Sequence, residues 1–376
     1  MTKLLGDFEP VYVVGAGWHR YQPLSETTYV ELGLTAVRAA LADAGIGWED
    51  VDESFIGHGR LGMAAGRPML RHLGALGKPL VHVENASASG SAAFRLGCVQ
   101  VAAGVSDVAL VLGVDKPRPT YRSPTGTQGL ADDAIVPFTH FSLLTGAYTS
   151  AYGVTDEDMA RIAVKNHGNG AKNPNAHRRQ QRTLEEILQG RKVAGALTSL
   201  QCCPVGEGAA AVLVASETAI NRLGIDPGKA IRVASSAAVT ETTVSSDQQV
   251  TEEVIARALH EAQTPASELD VFELHDAFTI EEAQYVEASG IAPPGQYIPM
   301  LKEGAFDIGG KCAVSTSGGL IAMGHPIGPT GVGQIGEIAL QLRGAAGERQ
   351  HPGARVGLAH MVGLGAVGYA HVLRRD

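Results

Sequence analysis

No apolar run in this 376-residue sequence is long enough to cross a bilayer; the longest, such as Val108-Ala109-Leu110-Val111-Leu112-Gly113-Val114, are strand-sized. The start, Met1-Thr2-Lys3-Leu4-Leu5-Gly6-Asp7, lacks the basic opening and long apolar region of a secretory signal. Cysteine is scarce. The four thiols, Cys98, Cys202, Cys203 and Cys312, have neither metal-ligand nor disulfide-framework spacing, so a reducing compartment is expected and the chain is read as cytoplasmic. Positive charge is in deficit: the formal charge of -9 argues against a general nucleic-acid surface. A dinucleotide fingerprint is missing too. Gly15-Ala16-Gly17 follows the first predicted strand, but position 20 is Arg and Pro23 interrupts the helix the fingerprint requires.

What remains is a globular chain with 44% apolar and 18% charged residues, long enough for two ordinary domains or one duplicated unit. The sequence suggests duplication. Residues 37–56 lie without gaps on residues 255–274, an offset of 218, matching Ala40 with Ala258, Leu41 with Leu259, Ala44 with Ala262 and Asp52 with Asp270. Each copy reads as helix, loop ending in Asp, then strand, so each half is expected to be an α/β unit on a mostly parallel sheet. The strand expected over residues 108–114 is apolar apart from Gly113 and belongs in a sheet covered on both faces. Residues 117–152 are rich in Pro, Thr, Gly and Tyr and read as an irregular excursion over the surface.

One stretch concentrates the features of a site. Residues 315–331 read Ser-Thr-Ser-Gly-Gly-Leu-Ile-Ala-Met-Gly-His-Pro-Ile-Gly-Pro-Thr-Gly, with Gly318, Gly319, Gly324, Gly328 and Gly331 around His325. That density of glycine predicts a tight turn, followed by a helix starting near Thr330 whose N-terminus brings unpaired N–H groups towards it. A second feature runs against the overall charge. Between Arg161 and Lys192 eight basic residues face only Glu185 and Glu186, a patch that suits either a phosphorylated ligand or a solvated helix face.

Further short motifs fall in order along the chain: Lys165-Asn166-His167 with Asn173-Pro174, Glu273-Leu274-His275-Asp276-Ala277-Phe278, Ser317-Gly318-Gly319 with Gly324-His325-Pro326, and Gln341-Leu342-Arg343-Gly344. Together they resemble the thiolase superfamily, in the branch similar to sterol carrier protein 2 thiolases and lipid-transfer proteins. The resemblance implies a five-layer αβαβα fold with mixed, mostly parallel sheets. Its two similar halves would be residues 1–225, carrying a CoA-covering excursion over residues 115–200, and residues 226–376. It also implies a homodimer and a CoA thioester as substrate, with no resident cofactor or metal. Lys165, Arg178, Arg179 and Arg182 become candidate CoA contacts. Gly324, Gly363 and Gly365 become candidate turn N–H donors, and His325, His275 and Ser87 candidate catalytic groups. His360 lies in the Gly-rich turn with Gly363 and Gly365, where Met361 stands in place of an Asn common in this branch.

The chain departs from this branch at the centre of its chemistry. Carbon–carbon cleavage in such enzymes uses a thiolate nucleophile and a second cysteine as acid/base. The nucleophile's position, three residues before Gly90, is Ser87, and the second cysteine's position is Ala277. Three readings of Ser87 stand open. It is a nucleophile activated by His325; it is a hydrogen-bonding group in a retro-aldol enzyme that needs no covalent intermediate; or it marks a non-catalytic subunit that binds CoA esters or a partner. Thiolase-like steroid side-chain aldolases lack the cysteine and work with a small OB-fold partner protein, an analogy that extends to this chain. Tyr297 is a candidate acid with packing as its alternative reading, and Cys312, Cys202 and Cys203 are read as structural.

Overall fold

The structure is a computed structural model that describes residues 3–117, 137–241, 246–364 and 367–376. Among these residues ten strands form one continuous sheet. In chain order they are β1 (Val11–Gln22), β2 (Glu53–Gly57), β3 (Leu80–Val83), β4 (Val108–Asp115), β5 (Glu207–Ser216), β6 (Ile231–Thr240), β7 (Val271–Glu273), β8 (Ala313–Val314), β9 (Val356–Gly363) and β10 (Val367–Arg374). Their spatial order is β8-β7-β9-β10-β6-β1-β5-β4-β2-β3. The second five strands therefore repeat the arrangement of the first five. The two halves meet where β1 and β6 pair antiparallel over Tyr12–Arg232 and Val13–Ile231.

Among the described residues seven longer helices accompany the sheet: α1 (Tyr29–Ala44), α2 (Ser89–Ala102), α3 (Pro137–Tyr152), α4 (Asp156–Ala171), α5 (Asp247–Glu261), α6 (Thr279–Ala288) and α7 (Ile327–Arg343). Helix α1 packs on β1, β5 and β4, and α5 packs in the equivalent place on β6, β10 and β9. Between the two half-sheets lie α2 and α7, which touch each other and strands of both halves. This is the five-layer αβαβα fold. Local chemistry sets the ends of the outer helices. The Thr28 hydroxyl accepts from the Glu31 N–H at 3.2 Å and Gly45 closes α1 at φ +75°, while Ser246 and Gln249 cap α5 reciprocally. The middle helices cross closely because Gly90 and Gly331 have no side chain. A Cβ on Gly90 would stand 2.4 Å from the Gly328 carbonyl oxygen, and one on Gly331 2.4 Å from Ser91 Oγ.

The repeat read from the sequence has a structural counterpart. Strands β2 and β7 begin 218 residues apart, and the matched aspartates do the same work. Asp52 Oδ2 accepts from the N–H groups of Asp107 and Val108 at the start of β4, and Asp270 Oδ2 from those of Arg355 and Val356 at the start of β9. Two expectations need correction. Parallel pairing does not predominate: β3-β2-β4 and β8-β7-β9 are parallel, but every other joint is antiparallel, because β5 and β10 return against their neighbours and β1 and β6 meet head to tail at the seam. Nor is the segment before Tyr152 irregular throughout. Residues 137–152 form α3, whose aromatic groups pack on α6 and its start. Phe138 meets Phe278 edge-to-face and Phe141 stacks on it at 4.2 Å, while the Tyr148 hydroxyl donates to Glu287 at 2.7 Å. Tertiary packing outweighs the weak helix propensity of Thr, Tyr and Phe there. The rest of that excursion, residues 118–136, lies outside the described residues. Among the described residues no helix is long and apolar enough to cross a membrane.

Candidate active site

Ser87 sits on the short connection between β3 and the start of α2, where two hydrogen bonds fix the backbone. Ser89 Oγ donates to the Ala86 carbonyl at 2.6 Å and accepts from the Asn85 N–H at 2.9 Å, holding Ala86 at φ +49°. The hydroxyl thereby faces a ring from the opposite half of the sequence: Ser87 Oγ lies 3.0 Å from His325 Nε2.

The tautomer of His325 follows from its other neighbours. Its Nδ1 lies 2.9 Å from Thr330 Oγ1, and that hydroxyl gives its own proton to the Pro326 carbonyl at 2.7 Å. Towards the ring Thr330 can only accept, so Nδ1 carries the hydrogen and Nε2 is left to accept from Ser87. Burial, reinforced by His275 and Arg60, holds the ring well below the ordinary histidine range, so His325 is neutral. The turn that carries it is latched by Asp115 at the end of β4, which accepts from the N–H groups of Gly59, Arg60 and Gly328 at 2.7 to 2.9 Å.

His275 meets His325 edge-to-face, with ring centroids 5.3 Å apart. Its Nδ1 lies 2.8 Å from Glu281 Oε1, whereas its Nε2 is buried with no partner among the described residues. Glu281 is itself buried and accepts from the Phe278 N–H on Oε2 and from the Tyr285 hydroxyl on Oε1.

The remaining motif residues hold this pair in place. Glu273 accepts from the Ser317 N–H at 2.9 Å, the Ser317 hydroxyl at 2.6 Å and the Thr316 hydroxyl at 2.8 Å. Asp276 accepts from the Leu320 N–H, the Asn166 amide and the Ser315 hydroxyl. Asn169 and Asn173 donate to the carbonyls of Ser315 and Ser317. Burial, together with Glu337, pushes the Glu273 carboxyl up to about 7. The Asn-rich segment, the acidic pair around His275 and the Ser-Gly turn are thus one hydrogen-bonded unit, which explains their joint presence in the sequence.

Several sequence-predicted residues have other employment. Lys165 is buried, 2.9 Å from Glu282 Oε1 and 2.8 Å from the Val314 carbonyl, so its charge is spent within the fold. Arg178 donates to the carbonyls of Cys202, Ile321 and Ser199, all within 3.0 Å. Neither is left to a CoA phosphate, because burial makes each cation find protein partners. Arg179 is exposed, and Arg182 pairs with Glu186 at 3.2 Å on the surface. Gly324, at φ +103°, uses its N–H on the Leu320 carbonyl and offers no free donor. Gly363 ends β9 so close to Asn85 that a Cβ would stand 2.3 Å from its carbonyl oxygen, while Gly365 lies outside the described residues. Tyr297 opens a short helix rather than a loop and gives its hydroxyl proton to Glu282, fully buried. Met361 is buried in β9, and both ring nitrogens of the buried His360 lack partners among the described residues. No thiolate stands in for the missing nucleophile. Burial raises Cys98 and Cys202 and pushes Cys203 and Cys312 up to about 12.

Glu281, Thr330 and Asp115 were not singled out from the sequence. The available signal was positional: Glu281 stands at the third residue of α6, where an acid often caps the helix start.

Known proteins share this architecture. The thiolase N-terminal domain model matches residues 11–218 and the thiolase C-terminal domain-like model matches residues 231–374. Sterol carrier protein 2 of Gallus gallus is 34% identical over 94% of this chain and 70% of its own length. The benzoylsuccinyl-CoA thiolase subunit BbsB of Thauera aromatica is 34% identical over 94% of this chain and 95% of its own. Among solved structures, the Ltp2-ChsH2(DUF35) aldolase superposes with a TM-score of 0.83 at 20% identity, covering 98% of each chain.

Proposed function

The chain belongs to the thiolase family, and from that premise we propose that it makes or breaks a carbon–carbon bond next to a CoA thioester without a cysteine nucleophile, by retro-aldol chemistry. The observation that carries this reading is the pairing of His325 with the Thr330 hydroxyl instead of a carboxylate. Removing the Ser87 proton would put a positive charge on a largely desolvated ring that has no counter-charge behind it, unlike a Ser-His-Asp arrangement. Ser87 is then a hydrogen-bonding group, and the reaction proceeds without an acyl-enzyme. A base takes the proton of the substrate's β-hydroxyl, the C–O bond becomes a carbonyl, and the Cα–Cβ bond breaks. Its electron pair passes to a thioester enolate, which is protonated at Cα. The positive end of α2, beside Ser87, favours the developing charge on the thioester oxygen.

Of the four candidate CoA contacts, Arg179 and Arg182 stay at the surface, Arg182 beside Glu186, where CoA phosphates can reach them. Strand β3, at the outer edge of the sheet with Val81 exposed, provides an edge for a homodimer. Support for a partner subunit comes from the names of two relatives, the Ltp2-ChsH2(DUF35) aldolase and the thiolase subunit BbsB. The scarcity of cysteine supports a cytoplasmic setting.

A second reading has its own observation. The 3.0 Å contact between Ser87 and an accepting His325 Nε2 is the geometry of a nucleophile and its base, which suits acyl transfer through Ser87. The two readings separate in one experiment. The protein is incubated with short, branched and steroid-like acyl-CoAs and their β-hydroxy forms, and intact mass and products are followed. Cleavage without an adduct on Ser87, and retained by Ser87→Ala within about tenfold, is the expected result. An acyl group on the Ser87 peptide would establish the covalent route instead.

A further inference from the structure

The two histidines of the site differ in what stands behind them. His325 Nδ1 rests on a hydroxyl, and His275 Nδ1 rests on a carboxylate 2.8 Å away. A carboxylate behind an imidazole fixes its tautomer and compensates the positive charge that arrives when the ring takes a proton; a threonine hydroxyl does only the first. We infer that Glu281 is a positioning residue that makes His275, rather than His325, the group that moves the proton. The inference rests on the retro-aldol reading above.

The hydrogen-bond inventory supports a specific role for this carboxylate. Oε2 accepts from the Phe278 N–H at 2.9 Å, and Oε1 faces both His275 Nδ1 and the Tyr285 hydroxyl. Two oxygens receive three hydrogens, which an acceptor-only group can do and an amide cannot. His275 Nδ1 therefore carries its hydrogen towards Glu281, and the lone pair is on Nε2. That nitrogen is buried, has no partner among the described residues, and belongs to the ring packed edge-to-face on His325 next to Ser87. In the reaction, Nε2 takes the β-hydroxyl proton as the Cα–Cβ bond breaks, Glu281 balances the imidazolium, and the same proton passes to Cα of the enolate. The ring ends neutral and no co-reactant is consumed.

Glu281→Gln tests the assignment because the amide has only one acceptor. If its oxygen keeps the Phe278 N–H, its NH₂ faces His275 and forces the hydrogen to Nε2; if it keeps His275, two donors collide at Phe278. With the whole protein labelled at histidine nitrogen, the wild-type spectrum is expected to show His275 as the Nδ1–H tautomer, with Nε2 unprotonated. In Glu281→Gln that signature shifts, and kcat for a β-hydroxyacyl-CoA falls by about 10²- to 10⁴-fold with KM within about threefold. A wild-type His275 found as the Nε2–H tautomer overturns the inference, even if the variant fails to fold. So does a variant that loses activity with its tautomer unchanged, or keeps full kcat. Should the wild-type protein cleave no β-hydroxyacyl-CoA, the retro-aldol reading fails, while the spectrum still decides whether Glu281 fixes His275.

Discussion

Replacing Thr330 with valine keeps the shape of the side chain and removes one oxygen. That oxygen accepts from His325 Nδ1 at 2.9 Å and donates to the Pro326 carbonyl at 2.7 Å. The carbonyl keeps a second partner, the Thr330 N–H at 3.2 Å, so the loss falls mainly on the ring. An Nδ1–H left unpaired in a buried site costs about 1–3 kcal/mol. The ring can escape that cost by carrying its hydrogen on Nε2, but it then ceases to accept from Ser87. Either way the Nδ1–H form loses about 5- to 150-fold in population, at about 1.4 kcal/mol per tenfold. The assay is paired: imidazole nitrogen spectra for the tautomer, and turnover of a β-hydroxyacyl-CoA. Thr330→Ser, which keeps the hydroxyl, is expected to stay close to the parent in both. A valine variant with the parental His325 spectrum and undiminished turnover would refute the reasoning, since the hydroxyl would then set nothing.

Two further outcomes are expected. Burial pushes His360 and His371 down to about 3, so both are neutral in the fold but charge in the unfolded chain below 6.5. The unfolded state binds more protons across that window. Stability is therefore full above pH 6.5 and falls as pH drops towards 3, by up to about 1.4 kcal/mol per pH unit for each ring. Urea midpoints between about pH 7.5 and 5 should show this, and His371→Asn should flatten the slope by one ring's share; a slope that His371→Asn leaves untouched counts against it. In the basic segment, Lys165→Met leaves Glu282 buried without its cation and should cost about 3–5 kcal/mol in urea unfolding. Arg179→Ala should leave the midpoint within about 0.5 kcal/mol yet weaken CoA binding by calorimetry. The reverse pattern would return Lys165 to the ligand.

The turn around His325 was legible because glycine at that density has few structural uses, and the repeat was legible because Asp52 and Asp270 each tie a loop to the start of the same strand in their half. The helix over residues 137–152 was hidden by composition: its stability comes from Phe138 and Phe141 against Phe278, a contact made across more than 130 residues of chain. Charge was the poorest guide. Lys165 and Arg178 look like Arg179 in a sequence, yet burial turns the first two into internal ties and leaves the third on the surface. Glu281 and Thr330 each lie five or six residues after a histidine already in view. Their significance depends on α6 and α7 turning back so that a single oxygen meets Nδ1, which no spacing rule records.

The middle layer has a consequence for the two halves. Each half contributes one helix to it, and α2 and α7 each cover strands of both halves. A lone half would expose the inner face of its sheet and one side of its own helix, so a single unit of this kind would have had to find a second copy of itself before it could fold stably. The seam agrees: β1 and β6, equivalent strands of the two halves, run antiparallel across it, as related strands do around a twofold axis. The two halves are thus arranged like the subunits of a twofold dimer joined in one chain. The first half supplies Ser87 and the second both histidines, so the site exists only where the two halves are packed together.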